Sequence, residues 1–258
     1  MRLDEQTQHF LQRHGFDQGL FERFAQRIRD RETHDNTING IVEAPAAGDL
    51  ADLPPLGSPA REALRRDGEA MIAAGEVAMV VLAGGMATRF GGVVKALVPV
   101  LGERTFLDLK MADAAAARRL GRVPCHFMTS FATDDAIAGA LQNTEDMGTF
   151  VQHVALRLTT DGEPFEVDGK PSLYAPGHGD LPSALKRSGV LASLQEAGVR
   201  TILMSNVDNL TATLDPSLVA LHRQLRRPMS AEVVAKDPGD KGGAPARVDG
   251  RMEIVEAF

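Results

Sequence analysis

The chain has 258 residues, 43% of them hydrophobic, and a net charge of −7, so it can bury a full core and does not suit a general nucleic-acid-binding protein. A single cysteine excludes an intrachain disulfide, and no apolar run approaches the roughly 20 residues that a transmembrane helix needs. With no recognisable signal peptide, we expect a cytoplasmic protein with neither a membrane nor a nucleic-acid partner.

The first part of the chain, 1–75, is expected to form a helical N-terminal extension that carries no chemical motif. Apolar residues recur at helical spacing over 8–11 and 19–28. A stretch rich in proline, glycine and alanine, 44–59, indicates a loop. A serine–proline pair then predicts a helix over 59–74, because serine caps helix N-termini and proline suits the first turn.

From residue 76 to residue 258 strands and helices alternate. Strands are expected at 77–83, 123–129, 149–158, 199–205 and 229–235. Helices are expected at 105–120, 132–143, 180–197 and 215–226, and a hairpin turning at Asp249 and Gly250 ends the chain. This order predicts an α/β fold with a mostly parallel sheet and helices on both faces. Ligands of such sheets bind at the carboxyl ends of the strands, so 76–258 is expected to be one nucleotide-binding domain.

The segment after the first of these strands is the most informative in the chain. The apolar run 77–83 ends in Gly84 and Gly85, and Arg89 and Lys95 follow. Adjacent glycines let a backbone approach a ligand closely, and the two cations lie where phosphates would sit. The spacing fits neither the Gly-x-Gly-x-x-Gly fingerprint nor the P-loop. A glycine-rich turn with a solvated arginine and lysine is the alternative interpretation.

Three later positions suggest the rest of a nucleotide site. Gln152 offers a donor and an acceptor that can match a pyrimidine edge, although an exposed glutamine is the commoner situation. His178 lies between two glycines before a predicted helix, where it can donate to a phosphate. Asp208 follows an apolar strand and suits a magnesium ion that carries phosphates. A turn or a helix cap is the alternative for the last two positions.

Taken in order, these segments resemble the eukaryotic-type UDP-sugar pyrophosphorylase family, which includes UTP–glucose-1-phosphate uridylyltransferases and UDP-N-acetylglucosamine pyrophosphorylases. The blocks that carry the resemblance are 82–95, Phe150-x-Gln152, 177–180, 206–209 and 241–243. Within the first block, Ala87 and Val94 stand where the family pattern has glycine and proline. The resemblance implies a Rossmann-like nucleotidyltransferase fold of the glycosyltransferase-A type.

The resemblance also implies roles for individual residues. The nucleotide-binding residues would be Leu82, Ala83, Gly84, Gly85, Gln152, Gly177 and Asp208. The catalytic residues, which contact phosphates, would be Lys95, Arg89 and His178. The residues that face the sugar would be Asn206, Gly243 and Glu256. Asp208 would also serve the metal cofactor, which is Mg²⁺ or Mn²⁺.

The reaction implied by the resemblance joins UTP and a sugar 1-phosphate, with glucose 1-phosphate as the first choice, to give a UDP-sugar and pyrophosphate. Two alternatives stay open. One is a nucleotidyltransferase with another nucleotide or another sugar, such as N-acetylglucosamine 1-phosphate, and the other is a nucleotide-binding module without turnover. Members of the family continue well past the position of Phe258, so we expect a chain that lacks its C-terminal part, binds uridine nucleotides and turns over poorly.

Overall fold

The computed structural model of the protein describes residues 4–31, 38–87, 92–142, 144–235, 237, 239 and 242–256. The helices are α1 (Glu5–Arg13), α2 (Gln18–Arg29), α3 (Pro59–Ala73), α4 (Phe106–Ala117), α5 (Asp134–Ala140), α6 (Leu181–Arg187), α7 (Val190–Glu196) and α8 (Pro216–Leu225). The strands are β1 (Val42–Glu43), β2 (Val77–Leu82), β3 (Met86–Ala87), β4 (Val93–Val94), β5 (Pro99–Leu101), β6 (Arg104–Thr105), β7 (Cys125–Thr129), β8 (Met147–Val151), β9 (Ala155–Leu156), β10 (Glu166–Val167), β11 (Lys170–Pro171), β12 (Leu173–Tyr174), β13 (Thr201–Asn206), β14 (Ala244–Val248) and β15 (Arg251–Val255).

Four parallel strands form the central sheet, in the order β13-β2-β7-β8. All six residues of β2 are buried, as expected for a strand that helices cover on both faces. Its register pairs Val77 with Thr201 and Leu82 with Asn206, so β2 and β13 end together. The predicted parallel α/β sheet is confirmed, and the carboxyl ends of its strands share one edge.

Helices cover both faces of this sheet. On one face the core joins residues of β2 and β7 to α3, α4, α5 and α8, through side chains that include Met71, Leu107, Ile137 and Val219. On the other face Val80 and Leu82 pack against α6 and the beginning of α7. Over the described residues, no helix combines the length and apolar character needed to cross a membrane.

Two predicted elements are interrupted in the structure. The predicted strand 149–158 is β8 followed by the separate strand β9, because the chain leaves β7 after Gln152: Val154 bonds to the carbonyl of His14, and β9 pairs with β12. The predicted helix 180–197 is divided into α6 and α7 at Gly189, whose φ of 80° lies in the left-handed region that a helix interior does not use.

The predicted strand at 229–235 is wrong. The structure describes this segment without a strand, and its apolar side chains are exposed, Met229 by 75% and Val234 by 85%. Apolar composition alone does not make a strand when no neighbouring strand or core covers it. The C-terminal hairpin is confirmed as β14 and β15, with Asp249 at φ 48° and Gly250 at φ 80° in the turn.

The N-terminal helices pack in two different places. Leu11 of α1 is buried with Val154 and Leu156, next to a group of phenylalanines. In contrast, α3 contributes Met71 and Ile72 to the main core. The domain boundary at residue 75 stays a prediction.

Replacing Gly68 with alanine is expected to destabilise the protein. An added Cβ would lie 1.8 Å from the carbonyl oxygen of Pro216, so α3 and α8 would have to separate. Overpacking costs about 1–3 kcal/mol, more than the roughly 1 kcal/mol that alanine gains over glycine within a helix. Gly139→Ala in α5 is the matched control, because no atom lies within 4 Å of its added Cβ. Urea unfolding measures both variants, and an equal or higher stability of Gly68→Ala would contradict this prediction.

Candidate active site

The glycine-rich segment begins where β2 ends. Leu82 and Ala83 are buried, and the N–H of Ala83 donates to the carbonyl of Met128 at 2.8 Å. At Gly84 an added Cβ would lie 2.1 Å from Nε2 of Gln152. Glycine is therefore needed here because a side chain from a neighbouring strand end occupies the space beside the backbone.

Gln152 is the buried polar residue at the centre of this edge. It is only 3% exposed, so the exposed-glutamine alternative is wrong. Its Oε1 accepts a hydrogen bond from the N–H of Gly177 at 2.8 Å, and Gly177 has a φ of 88°, which favours glycine. Its Nε2 lies beside Gly84 with no hydrogen-bond partner among the described residues. One amide thus bonds to one predicted nucleotide-binding glycine, lies against another and keeps a donor for a ligand.

The turn that follows Gly177 is held at its other end by Asp180, the last residue of the block 177–180. Asp180 accepts the backbone N–H of His153 at 2.6 Å and lies 2.7 Å from its ring Nδ1. Asp180 makes no capping hydrogen bond to α6. His178, between these anchors, is exposed, and its ring has no hydrogen bond or ion pair within the described part of the chain. Its ring can therefore turn towards an anion.

Lys95 and Asp208 form an ion pair at the same edge. Nζ of Lys95 donates to Oδ2 of Asp208 at 3.0 Å, and the two side chains are 39% and 38% exposed. The N–H of Lys95 donates to the carbonyl of Gly85 at 3.2 Å, which fixes the lysine against the glycine-rich segment. A pair this exposed adds little stability, so the lysine can exchange its partner for a phosphate and the aspartate for a cation.

The structure does not show the remaining predicted site residues together at the carboxyl edge of the sheet. Arg89 lies outside the described residues, and so does Lys241 of the fifth block. Gly243 lies next to Glu256, since an added Cβ would approach its Cγ to 3.2 Å, but both belong to the end of the hairpin. Asn206 ends β13, and no hydrogen bond or ion pair among the described residues joins it to either of them. A shared sugar-binding role for Asn206, Gly243 and Glu256 stays a prediction.

The donor set at this edge suits one kind of metal site. In the part of the chain that the structure describes, no group of three or more His, Cys, Asp or Glu side chains is arranged to hold a metal ion. Asp208 is one exposed carboxylate, and magnesium in nucleotide enzymes is commonly held by one or two carboxylates together with phosphate oxygens. Asp208 therefore fits an ion that phosphate oxygens help to hold.

Two ionisable residues of α4, Lys110 and Asp113, lie next to the loop that follows Asp208, and sequence analysis did not identify them. Lys110 of α4 is 1% exposed and donates to the carbonyl of Ala212 at 2.8 Å. Burial lowers the pKa of Lys110 and raises the pKa of Asp113, which lies one turn further along the helix. A lysine on the buried stripe of α4, between Leu107 and Ala114, was the signal that could have revealed them.

Lowering the pH from about 7 to about 5 is expected to destabilise the protein through His126, at the opposite edge of the sheet. Its ring borders a cleft of about 180 Å³, and its Nδ1 is buried without a hydrogen-bond partner among the described residues. Burial lowers the pKa of His126 below its ordinary 6.5, although the charge of Asp146 opposes this. The unfolded chain therefore takes up a proton at a higher pH than the folded protein, and stability falls as the pH drops below 6.5.

His126→Leu should reduce this loss of stability. Urea unfolding of the variant and the wild type at several pH values in this range measures the difference in slope. Identical pH dependence in the two proteins would contradict the role of His126.

Comparison with known proteins decides the family. A sequence profile described as UTP–glucose-1-phosphate uridylyltransferase matches residues 18–258. The chain belongs to this family. A probable UTP–glucose-1-phosphate uridylyltransferase from Schizosaccharomyces pombe is 31% identical over 193 residues, which are 70% of this chain and 38% of that protein. The match therefore covers well under half the length of this relative, and the family resemblance seen in the sequence is confirmed.

Solved structures confirm the fold expected for this uridylyltransferase family. A UDP-glucose phosphorylase from Trypanosoma brucei is 25% identical with a TM-score of 0.69, and the match covers 93% of this chain and 51% of that one. A UDP-N-acetylglucosamine pyrophosphorylase from the same organism, solved with an inhibitor, has a TM-score of 0.73 at 18% identity and covers 90% of this chain and 52% of that one. The predicted nucleotidyltransferase fold is thus correct.

Proposed function

We propose that this chain binds UTP and transfers its uridylyl group to a sugar 1-phosphate, giving a UDP-sugar and pyrophosphate. The observation that carries the proposal is the buried amide of Gln152, which bonds to Gly177 and lies beside Gly84 at the carboxyl edge of a parallel sheet. An amide donor held between two stretches of glycine backbone suits the flat, polar edge of a pyrimidine. Membership of the uridylyltransferase family supports uracil as that base and UTP as the nucleotide.

The transfer needs alignment and charge neutralisation rather than covalent catalysis. An oxygen of the sugar 1-phosphate attacks the α-phosphorus of UTP, the bond to the bridging oxygen breaks, and pyrophosphate leaves with the electron pair. Lys95, which bonds to Asp208, would exchange that carboxylate for the phosphates, and its charge would offset the charge that develops on them. His178 is exposed on the turn that Gln152 and His153 hold, where it can donate to a phosphate oxygen. Arg89 is proposed as a third phosphate contact.

Mg²⁺ bound with the nucleotide would offset phosphate charge, and Asp208 is the residue proposed to hold it. Asp208 is exposed and pairs with a single lysine, so it can take a cation once Lys95 turns to the phosphates. Mn²⁺ could bind to the same carboxylate.

The sugar contacts proposed for Asn206, Gly243 and Glu256 require the hairpin and the end of β13 to face one ligand.

The sugar has two candidates. Glucose 1-phosphate is favoured because the matching family and the S. pombe relative carry glucose in their names. N-acetylglucosamine 1-phosphate is the second candidate, since a structural neighbour is a UDP-N-acetylglucosamine pyrophosphorylase. Two further statements belong to the proposal. The chain consists of a helical extension, 1–75, and a nucleotide-binding domain, 76–258, and the protein is located in the cytoplasm.

Thermal unfolding with nucleotides tests the proposal. A ligand that binds only the folded protein raises its stability in proportion to RT ln(1 + [L]/Kd). Millimolar UDP or UTP should raise the Tm, whereas CDP and GDP should raise it less. UDP-glucose and UDP-N-acetylglucosamine, compared in the same way, separate the two sugars. The proposal fails if no uridine nucleotide shifts the Tm. A second assay, pyrophosphate release from UTP in the presence of each sugar 1-phosphate, shows whether the chain is an enzyme or a binding module.

A further inference from the structure

Lys110 occupies a position where an apolar side chain would be expected. The buried residues of α4 are Leu107, Lys110, Ala114 and Ala117, which form one helical stripe. Lys110 is among the largest of the described side chains that are less than 2% exposed. Burying an ammonium costs free energy unless polar groups compensate it, and methionine would fill the same space without that cost. The contacts of the ammonium should therefore explain why lysine is here.

The contacts of Lys110 and Asp113 lie in the segment that carries Asp208. Nζ of Lys110 donates to the carbonyl of Ala212 at 2.8 Å, and no carboxylate of the described residues lies within ion-pair distance of it. The backbone N–H of Leu214 is close enough to Asp113 to favour its carboxylate and oppose the rise in its pKa, while Oδ2 of Asp113 is buried without a hydrogen-bond partner in the described chain. The face of α4 that carries Lys110 and Asp113 thus borders the short stretch 212–214 and holds it through the bond of Lys110 to Ala212.

A continuous set of contacts leads from Lys110 to Asp208. Oδ1 of Asn209, the next residue after Asp208, accepts the N–H of Ala212 at 3.3 Å and the hydroxyl of Thr211 at 3.0 Å. At the beginning of the segment, the N–H of Val207 donates to the carbonyl of Leu82 at 3.0 Å. Asp208 is therefore displayed on a short loop that is anchored to β2 on one side and to α4 on the other.

We propose that Lys110 is a positioning residue, whose bond to Ala212 holds the segment 207–214 so that the Asp208 carboxylate faces the nucleotide phosphates and their cation. This inference rests on the proposed function, because it presumes that Asp208 serves the bound nucleotide. The ammonium of Lys110 and the carboxylate of Asp208 also attract each other, although this attraction is weaker than that between Lys110 and Asp113. Methionine would keep the packing of α4 but lose both the hydrogen bond and the charge.

Hydrogen–deuterium exchange without nucleotide tests the first step, whether or not the chain binds UTP. In Lys110→Met, amides of 207–214 should exchange faster, while those of β13 and α8 stay close to wild type. Lys170→Met removes a lysine from the distant strand β11 and is the matched control. Unchanged exchange over 207–214 in Lys110→Met would overturn the inference, whatever the outcome of the nucleotide experiments.

A double-mutant cycle on UTP binding tests the second step. With Mg²⁺ present, Lys110→Met should weaken UTP binding about tenfold, the lower range for losing a partner that orients a metal ligand. In the Asp208→Asn background the same change should have little further effect, because Lys110 acts through Asp208. An equal loss in both backgrounds, or no loss in either, would overturn the positioning role.

A second variant allows both experiments to be carried out even if Lys110→Met does not fold. Lys110→Gln keeps an N–H donor without the charge, and we expect its exchange and its UTP affinity to lie between those of wild type and Lys110→Met. If Lys110→Met does not fold, Lys110→Gln is judged by the same two criteria. If wild type binds no UTP, the proposed function fails, while the exchange experiment still decides whether Lys110 holds the loop.

Discussion

Replacing Lys95 with alanine should lower the rate of uridylyl transfer by about 100-fold or more, the scale of losing one transition-state contact. In the structure Nζ of Lys95 is bound to Asp208 at 3.0 Å, and the residue is fixed to the glycine-rich segment through its own N–H. Charge builds up on the leaving pyrophosphate during transfer, so the lysine should contribute more to the transition state than to bound UTP. The affinity for UTP should accordingly fall less than the rate.

A single-turnover assay, with protein in excess over labelled UTP, makes even a slow transfer measurable. UTP affinity is measured separately by calorimetry, so that the two effects can be compared. Lys170→Ala, which removes an exposed lysine from β11, controls for the change in net charge. An unchanged single-turnover rate in Lys95→Ala would remove this lysine from the mechanism.

The parts of the fold that could be predicted are those that local sequence determines. The apolar run of β2 and the following glycines lie side by side in the chain, and the structure places them as expected. The helix start at Asp215 is confirmed, since its side chain accepts the N–H of Ser217 and proline follows it. Ser58 likewise caps α3 by accepting the N–H of Arg61. Such signals depend on neighbours within a few residues.

The parts that could not be predicted depend on contacts between distant segments. The burial of Gln152 results from a turn 25 residues later in the chain, whose Gly177 occupies the acceptor of its amide. Lys110 meets Ala212 across a separation of 102 residues, so nothing near Lys110 reveals its partner. In the segment 229–235, by contrast, distant contacts are missing. This apolar segment was expected to form a strand, but it pairs with no strand among the described residues. Composition shows what a segment could bury, whereas the tertiary fold decides whether it is covered.

Replacing Gly84 with alanine should abolish most nucleotide binding while leaving the fold largely intact. The added Cβ would lie 2.1 Å from Nε2 of Gln152 and 3.3 Å from the backbone carbon of Thr129. The backbone of the sheet edge cannot easily move, since Ala83 bonds to β7, but the glutamine side chain can rotate. Rotation would break its bond to Gly177 and turn its free donor away from the base. The damage should therefore concentrate on the ligand site.

The expected loss is about 100-fold in UDP affinity, because leaving buried polar groups unpaired costs about 1–3 kcal/mol and both the ligand and Gly177 lose a partner. Calorimetry with UDP measures the affinity, and thermal unfolding without ligand measures the stability. Gln152→Ala should weaken UDP binding similarly, and combining it with Gly84→Ala should add little, since both changes remove the same amide from the site. Gly139→Ala, which adds a methyl group in open space, controls for the substitution itself. Wild-type affinity in Gly84→Ala would show that Gln152 does not contact the nucleotide, whereas a loss of folding would show that the glycine is needed for the sheet rather than for the ligand.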